Sequence, residues 1–250
     1  MDDPRHRPPA APVCPVSRPA LLQLRGVGWA ARSGCPTLAD ISFTVQAGQV
    51  LGLAGPPGAG TSVLLRLLCR ALPPTRGAVL LHGRDLWLIP PHEAARSVAA
   101  VLQAPVDPGL TLRQLVALGR QACRATGRPG WRDAEAVAEV LERLNLAPLA
   151  RRRFGTLRPG DRQLARLACA LAQDPALVVL DRPADPDEAR HLPALLHHLR
   201  RLGLAAVCAL PETAPVPDAV DRVIRLQHGR ILTEDPAALS PASLVGRRGR

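Results

Sequence analysis

The sequence contains no lysine and no tyrosine. Aromatic residues of any kind make up only 2% of it. The formal charge of +11 is therefore carried by arginine alone. Scarce aromatics leave few platforms on which unpaired bases could stack, and the arginines are spread along the chain rather than gathered in one patch. No nucleic-acid partner is expected. The bias, with its abundant Ala, Pro and Arg, reads as coding composition; the functional alternative is a nucleic-acid or anionic-membrane partner. Long apolar runs are also missing, and none reaches the ~18 residues of a membrane span. The six cysteines, Cys14, Cys35, Cys69, Cys123, Cys169 and Cys208, form no CxxC pair. Scattered thiols fit a reducing compartment and argue against zinc. Met1–Ala20 has six prolines and two aspartates but no apolar signal core, so it reads as a flexible leader.

What remains is globular. The chain has 250 residues, 47% of them hydrophobic, enough to bury a core without disulfides or metals. Leu21–Leu24, Val27–Trp29 and Ile41–Val45 read as short strands, with turns at Ser33-Gly34 and Ala47-Gly48. Val50–Ala54 is a continuous apolar run of buried-strand type. A helix is expected over Ser62–Leu72, stopped by Pro73-Pro74. Residues 93–150 read as mostly helical. There Val137, Val140, Leu141 and Leu144 recur at helical spacing, with Asp133 as N-cap. A helix at Arg162–Gln173, a strand at Ala176–Leu180, a helix at Glu188–Leu202 and a strand at Ala205–Leu210 follow. Val223–Leu226 and Arg230–Leu232 read as a hairpin about His228-Gly229. Strands alternating with helices predict a parallel, helix-covered sheet.

One segment carries chemistry by its context. Gly55-Pro56-Pro57-Gly58-Ala59-Gly60-Thr61-Ser62 lies between a buried strand and a helix, as a phosphate loop requires. Glycines let the backbone turn several N–H groups toward one anion, and the helix N-terminus adds positive potential. Ser62 stands where a hydroxyl would ligate Mg²⁺. The lysine slot holds Thr61, and no other lysine exists to replace it. A charge-assisted hydrogen bond contributes roughly 1.5–3 kcal/mol, so its loss weakens phosphate binding by about 10- to 100-fold.

The order of landmarks around this loop resembles an ABC transporter ATP-binding subunit over Leu21–Val245. Within that family it is most similar to subunits of iron-siderophore, haem and cobalamin importers. The resemblance rests on His82-Gly83-Arg84-Asp85-Leu86, on Glu93-Ala94-Ala95-Arg96, and on Leu110–Arg120, whose Leu112-Arg113-Gln114-Leu115-Val116-Ala117-Leu118-Gly119-Arg120 closely follows that group's pattern. It implies that Gln103 is the glutamine sensing Mg²⁺ and the permease. It implies equally that Asp181, at the end of the strand Ala176–Leu180, binds Mg²⁺ through water.

Several positions depart from the family pattern. The residue after that aspartate, which should be a glutamate general base, is Arg182; losing such a base costs roughly 10²–10⁴-fold in rate. The signature motif reads Leu157-Arg158-Pro159-Gly160-Asp161. Arg158 stands for a phosphate-touching serine, and Pro159 supplies no N–H. Pro211 replaces the switch histidine. Ala31 falls where an aromatic would stack on adenine, with Trp29 on the same strand face as a substitute. Only acidic character survives in Asp185-Pro186-Asp187-Glu188. Gly55, Gly58, Gly60, Gly160, Arg162 and Gln163 remain.

The expectation is an α/β protein. Its P-loop NTPase core is of ABC ATPase type, with an N-terminal antiparallel β-subdomain and a helical subdomain at about 92–150. A leader over 1–20 and a basic tail over 246–250 flank the ABC domain at 21–245. By resemblance it is an importer's ATP-binding subunit, cytoplasmic and peripheral to the membrane. It docks to a permease, pairs with a second ATP-binding subunit, binds ATP weakly and hydrolyses little or none. Nucleotide falls to Gly55, Gly58, Ala59, Gly60, Thr61, Ser62 and Val63, Mg²⁺ to Ser62, Gln103 and Asp181. No residue is assigned a catalytic role. The alternative is a non-catalytic pseudo-ATPase module for interaction or regulation.

Overall fold

The computed structural model describes residues 20–31, 36–101, 105–123, 130–181, 186–212 and 215–236. Strands β1 (Leu22–Ala30) and β2 (Pro36–Val45) pair antiparallel. The two segments expected at Leu21–Leu24 and Val27–Trp29 are one strand. Its register shifts between Leu24 and Val27, where Gly26 takes φ 56° and donates its N–H to Ser42 Oγ at 2.8 Å. A bulge thus keeps Leu22, Leu24 and Val27 all buried across a break in the alternation.

β3 (Val50–Ala54) is buried throughout and leads to α1 (Thr61–Leu68). This helix ends before the expected Leu72. Arg70 adopts φ 59°, and the N–H groups of Ala71 and Leu72 return to the Arg66 carbonyl at 2.8 and 3.3 Å, a left-handed termination that precedes the proline pair. β4 (Arg76–Leu81) and β5 (Arg84–Asp85) complete a four-stranded sheet in the order β2-β1-β4-β5.

Residues 93–150, expected to be mostly helical, carry α2 (Pro91–Ser97), β6 (Val98–Val101), α3 (Leu112–Gly119) and α4 (Trp131–Arg143). The apolar stripe of α4 is buried as expected at Val137, Val140 and Leu141, and Leu144 just beyond it is buried too. Asp133 is not its N-cap: that position is Gly130. Asp133 sits inside the first turn, where its carboxylate accepts from Gly130 N–H at 3.1 Å and Arg120 Nε at 3.0 Å.

The chain continues through α5 (Pro159–Leu171), β7 (Leu177–Leu180), α6 (Pro186–Ala189), α7 (Leu192–Arg201), β8 (Ala205–Ala209), β9 (Arg222–Gln227) and β10 (Arg230–Pro236). The single helix expected over Glu188–Leu202 is broken, because Pro193 lacks an N–H and its ring clashes with the carbonyl four residues back, at Ala189. The second sheet has the order β10-β9-β3-β8-β7-β6. It is parallel except for the β9–β10 hairpin.

Strand alternation decides what covers each face of this sheet. Leu51, Leu53, Val179 and Val207 pack with α1 and the antiparallel sheet. Val50, Ala54, Val178, Leu180, Ala206 and Cys208 pack with α3, α5 and α7. Among the described residues, no helix is long and apolar enough to cross a membrane.

Candidate functional site

β3 lies between β8 and β9, and the carboxyl ends of β3, β7 and β8 open on one side. In open parallel sheets that edge is where ligands bind. A cavity of about 920 Å³ occupies it, lined by Gly55, Gly58, Ala59, Gly60, Thr61, Ser62 and Val63 together with Asp181, Pro211 and Glu212. All the loop positions expected to hold nucleotide thus face one space. Ser62 and Asp181, expected to share Mg²⁺, face the same space. Gln103 and Arg182 lie outside the described residues.

The loop's shape depends on three glycines for different reasons. Gly58 takes φ 83°, and a Cβ there would point into open space. Gly60 takes φ 99°, and its Cβ would lie 2.5 Å from Leu38 Cδ2 and 3.0 Å from the Thr37 carbonyl oxygen. A Cβ on Gly55 would lie 2.5 Å from the Leu226 carbonyl oxygen. The loop is therefore clamped between the start of β2 and the end of β9. Gly229 completes the clamp: its N–H donates to the Ala59 carbonyl at 3.2 Å, and its carbonyl accepts from Ala39 N–H at 2.8 Å. The sequence presents Gly229 only as a hairpin turn. Nothing local to it signals that the turn holds a loop so distant in the chain.

α1 begins its hydrogen bonding with Leu64 N–H to the Gly60 carbonyl at 2.9 Å. The N–H groups of Thr61, Ser62 and Val63 precede that bond and have no intrahelical acceptor. No acidic residue occupies the first turn, so the positive end of the helix is uncompensated. Such a cradle fits a polyphosphate, and the volume lies within the usual range for small-molecule sites. Ser62 and Asp181 fit Mg²⁺, which binds through few protein oxygens and completes its shell with phosphate and water. Thr61 contributes no charge. Asp181 is fixed at the end of β7 by its own N–H, which donates to the Val101 carbonyl at 3.0 Å. Nearby, burial first and the Asp181 carboxylate second push the Cys69 thiol up to about 12.

The remaining altered positions fall as follows. Leu210 N–H bonds the Leu53 carbonyl at 2.8 Å and so sets Pro211 at the cavity wall, where a proline offers a phosphate no hydrogen bond. Trp29, the candidate substitute for the missing aromatic, is not among the described residues that line the cavity. It packs against the core beside the antiparallel sheet, and Thr37 lines the cavity from that side.

The signature segment forms the start of α5, with Arg158 as an exposed N-cap whose side chain does not cap and Pro159 in the first turn. Proline is tolerated there because that N–H has no helical partner in any case. The first intrahelical bond runs from Arg162 N–H to the Arg158 carbonyl at 2.9 Å. Only Gly160 and Asp161 are left to offer free N–H groups. His191 covers Gly160, with its imidazole about 3 Å from where a Cβ would stand.

Comparison with known proteins agrees with this geometry. A family profile described as ABC transporter matches residues 38–185. A hemin import ATP-binding protein of Streptomyces coelicolor is 36% identical over 208 residues, covering 81% of this chain and 74% of that protein. One of Pseudomonas entomophila is 34% identical over 224 residues, covering 85% and 87%. A phosphonates import ATP-binding protein of Alcaligenes faecalis is 29% identical, covering 91% and 87%. Among solved structures, a nucleotide-free ATP-binding cassette from an ABC transporter superposes with a TM-score of 0.76 at 19% identity, covering 92% of this chain and all of that one. The ADP conformation of another such cassette gives 0.78 at 20% identity, covering 92% and 96%. With the phosphate loop, the aspartate strand and the signature helix all in place on this fold, the chain belongs to the ABC transporter family of ATP-binding proteins.

Proposed function

We propose that this protein is the ATP-binding subunit of an ABC importer for hemin or a related metal chelate. In this reading it binds ATP weakly and hydrolyses it little or not at all. The observation that carries the reading is the cavity itself, which joins a complete glycine cradle, Ser62 and Asp181 to an uncharged Thr61 and a proline at 211. The printed function of the Streptomyces coelicolor and Pseudomonas entomophila relatives, hemin import, supports the substrate class.

The phosphates fall to Gly55, Gly58, Ala59, Gly60, Thr61, Ser62 and Val63, through backbone N–H groups and hydroxyls. Ser62, Asp181 and Gln103 hold Mg²⁺, which when bound neutralises charge on the phosphates. Arg182 cannot accept a proton from water at neutral pH, so no side chain is assigned to activate one. The ABC domain spans 21–245, with the leader at 1–20, the helical subdomain near 92–150 and the tail at 246–250. The protein sits at the cytoplasmic face of the membrane, docks to a permease through residues around 103–120, and pairs with a second ATP-binding subunit.

Calorimetry with ATP, with and without Mg²⁺, tests the binding, and phosphate release tests turnover. Weak, Mg²⁺-strengthened binding with turnover below about 1 s⁻¹, the low end of ordinary enzyme rates, is expected. Turnover at or above that rate overturns the inactivity. Complete absence of ATP binding leaves the pseudo-ATPase interaction module as the reading.

A further inference from the structure

A phosphate cavity without lysine needs its positive charge from elsewhere. Among the described residues that line this cavity, one side chain is cationic: Arg66. It lies on α1 four residues after Ser62, so the two occupy the same face one turn apart, and both are exposed. A helical side chain leans toward the helix N-terminus, which lets an arginine at 66 reach back along α1 toward the N–H groups of Thr61, Ser62 and Val63. Arg66 stands about 7.5 Å along the axis from Thr61. An arginine stem built of bonds of about 1.5 Å covers that interval when extended.

The next arginine on the same chain segment shows what a structural role looks like. Arg70 donates from Nη1 to the Ile89 carbonyl at 2.8 Å and from Nη2 to the Trp87 carbonyl at 3.2 Å, and it stacks on the Trp87 ring at 5.3 Å. Arg66 has no such commitment. No hydrogen bond or ion pair joins its guanidinium to any described residue, and the two carboxylates in the cavity wall, Asp181 and Glu212, leave it unpaired. A guanidinium stays charged at any physiological pH and presents paired donors to phosphate oxygens.

We propose that Arg66 is the phosphate-binding cation of this cavity and takes over the electrostatic role of the lysine that Thr61 replaces. The ligand chemistry is a polyphosphate chain, and the proposal rests on the reading that the cavity binds ATP. The charge enters from the helix flank rather than from within the loop, so the loop itself need carry none.

The test is calorimetry on the full-length protein without Mg²⁺, using ATP, inorganic tripolyphosphate and adenosine as separate probes. Arg66→Ala should weaken ATP and tripolyphosphate by about 10- to 100-fold and leave adenosine unchanged. Arg66→Lys should recover part of the loss. Thr61→Lys placed in the Arg66→Ala background should restore binding, since either cation serves. A loss confined to ATP, with tripolyphosphate unaffected, overturns a phosphate contact. Arg66→Ala binding ATP within about threefold of the wild type, with its thermal unfolding unchanged, overturns the inference while leaving ATP binding intact. A wild-type protein that binds neither ATP nor tripolyphosphate overturns both the inference and the reading beneath it.

Discussion

Thr61 and Ser62 place two hydroxyls at the mouth of the cavity where one cation and one hydroxyl are usual, and single residues elsewhere are as informative. Cys208 lies in β8, fully buried, and burial pushes its thiol up to about 12. Cys69 is pushed as far, by burial and then by Asp181. In an unfolded chain thiols ionise at about 8.5. Between about pH 8.5 and 12 the folded state therefore holds protons that the unfolded state has released, and stability must fall as pH rises through that window. Below about pH 8.5 the contribution is fully present. The chain has neither lysine nor tyrosine, so the two side chains that normally crowd this range are missing and the cysteines dominate it. Each buried thiol contributes a slope of about 1.4 kcal/mol per pH unit. Urea unfolding from pH 8 to 11 should show that decline. Cys208→Ala should flatten the slope by about one thiol's share, and an unchanged slope refutes the assignment.

At the scale of elements, α3 and α5 cross closely at Gly119. A Cβ on Gly119 would lie 2.0 Å from the Cys169 carbonyl oxygen and 3.2 Å from Ala172 Cβ. Gly119→Ala must push the helices apart, and a loss of about 1–3 kcal/mol is expected from overpacking. Equilibrium unfolding measures it, and a change below about 0.5 kcal/mol would show that the crossing yields freely. Elements such as β3 and α4 were legible in the sequence because each carries its own pattern, an unbroken apolar run in one and a 3.6-residue stripe in the other. β6 was not. Val98-Ala99-Ala100-Val101 follows a helix directly and is only four residues long, with two alanines between its valines, and it is fixed as a strand by its pairing with β7. The bulge in β1 and the break before α7 were missed for a related reason, since each depends on a single residue, Gly26 or Pro193, acting on an otherwise continuous pattern. In the site, the glycine loop was legible from its place between a buried strand and a helix, and Asp181 from the family resemblance. Gly229 was not, because a distant turn reaches the loop only through the tertiary fold.

At the scale of the whole molecule, the question is whether restoring one half of the site is enough. In the proposed importer arrangement two ATP-binding subunits meet head to tail, and each site joins one subunit's phosphate loop to the other's signature helix. In this chain both contributions are altered: Thr61 and Arg182 on one side, Arg158 and Pro159 on the other. A homodimer therefore carries two sites damaged on both walls, and a partner subunit repairs only one wall of each. Thr61→Lys with Arg182→Glu should tighten ATP binding by less than Arg66→Ala weakens it, because Arg66 already supplies one cation, and it should act through the loop alone, because binding to the cradle does not need the opposing helix. Turnover should stay below about 1 s⁻¹, because the opposing helix still presents an arginine and a proline where a hydroxyl and a backbone N–H would meet the terminal phosphate. Adding Arg158→Ser and Pro159→Gly returns those donors, and only this fourfold variant should raise phosphate release above that rate. If the twofold variant already turns over as fast, the signature helix is not limiting. In that case the two losses are independent accidents rather than the two walls of one silenced site.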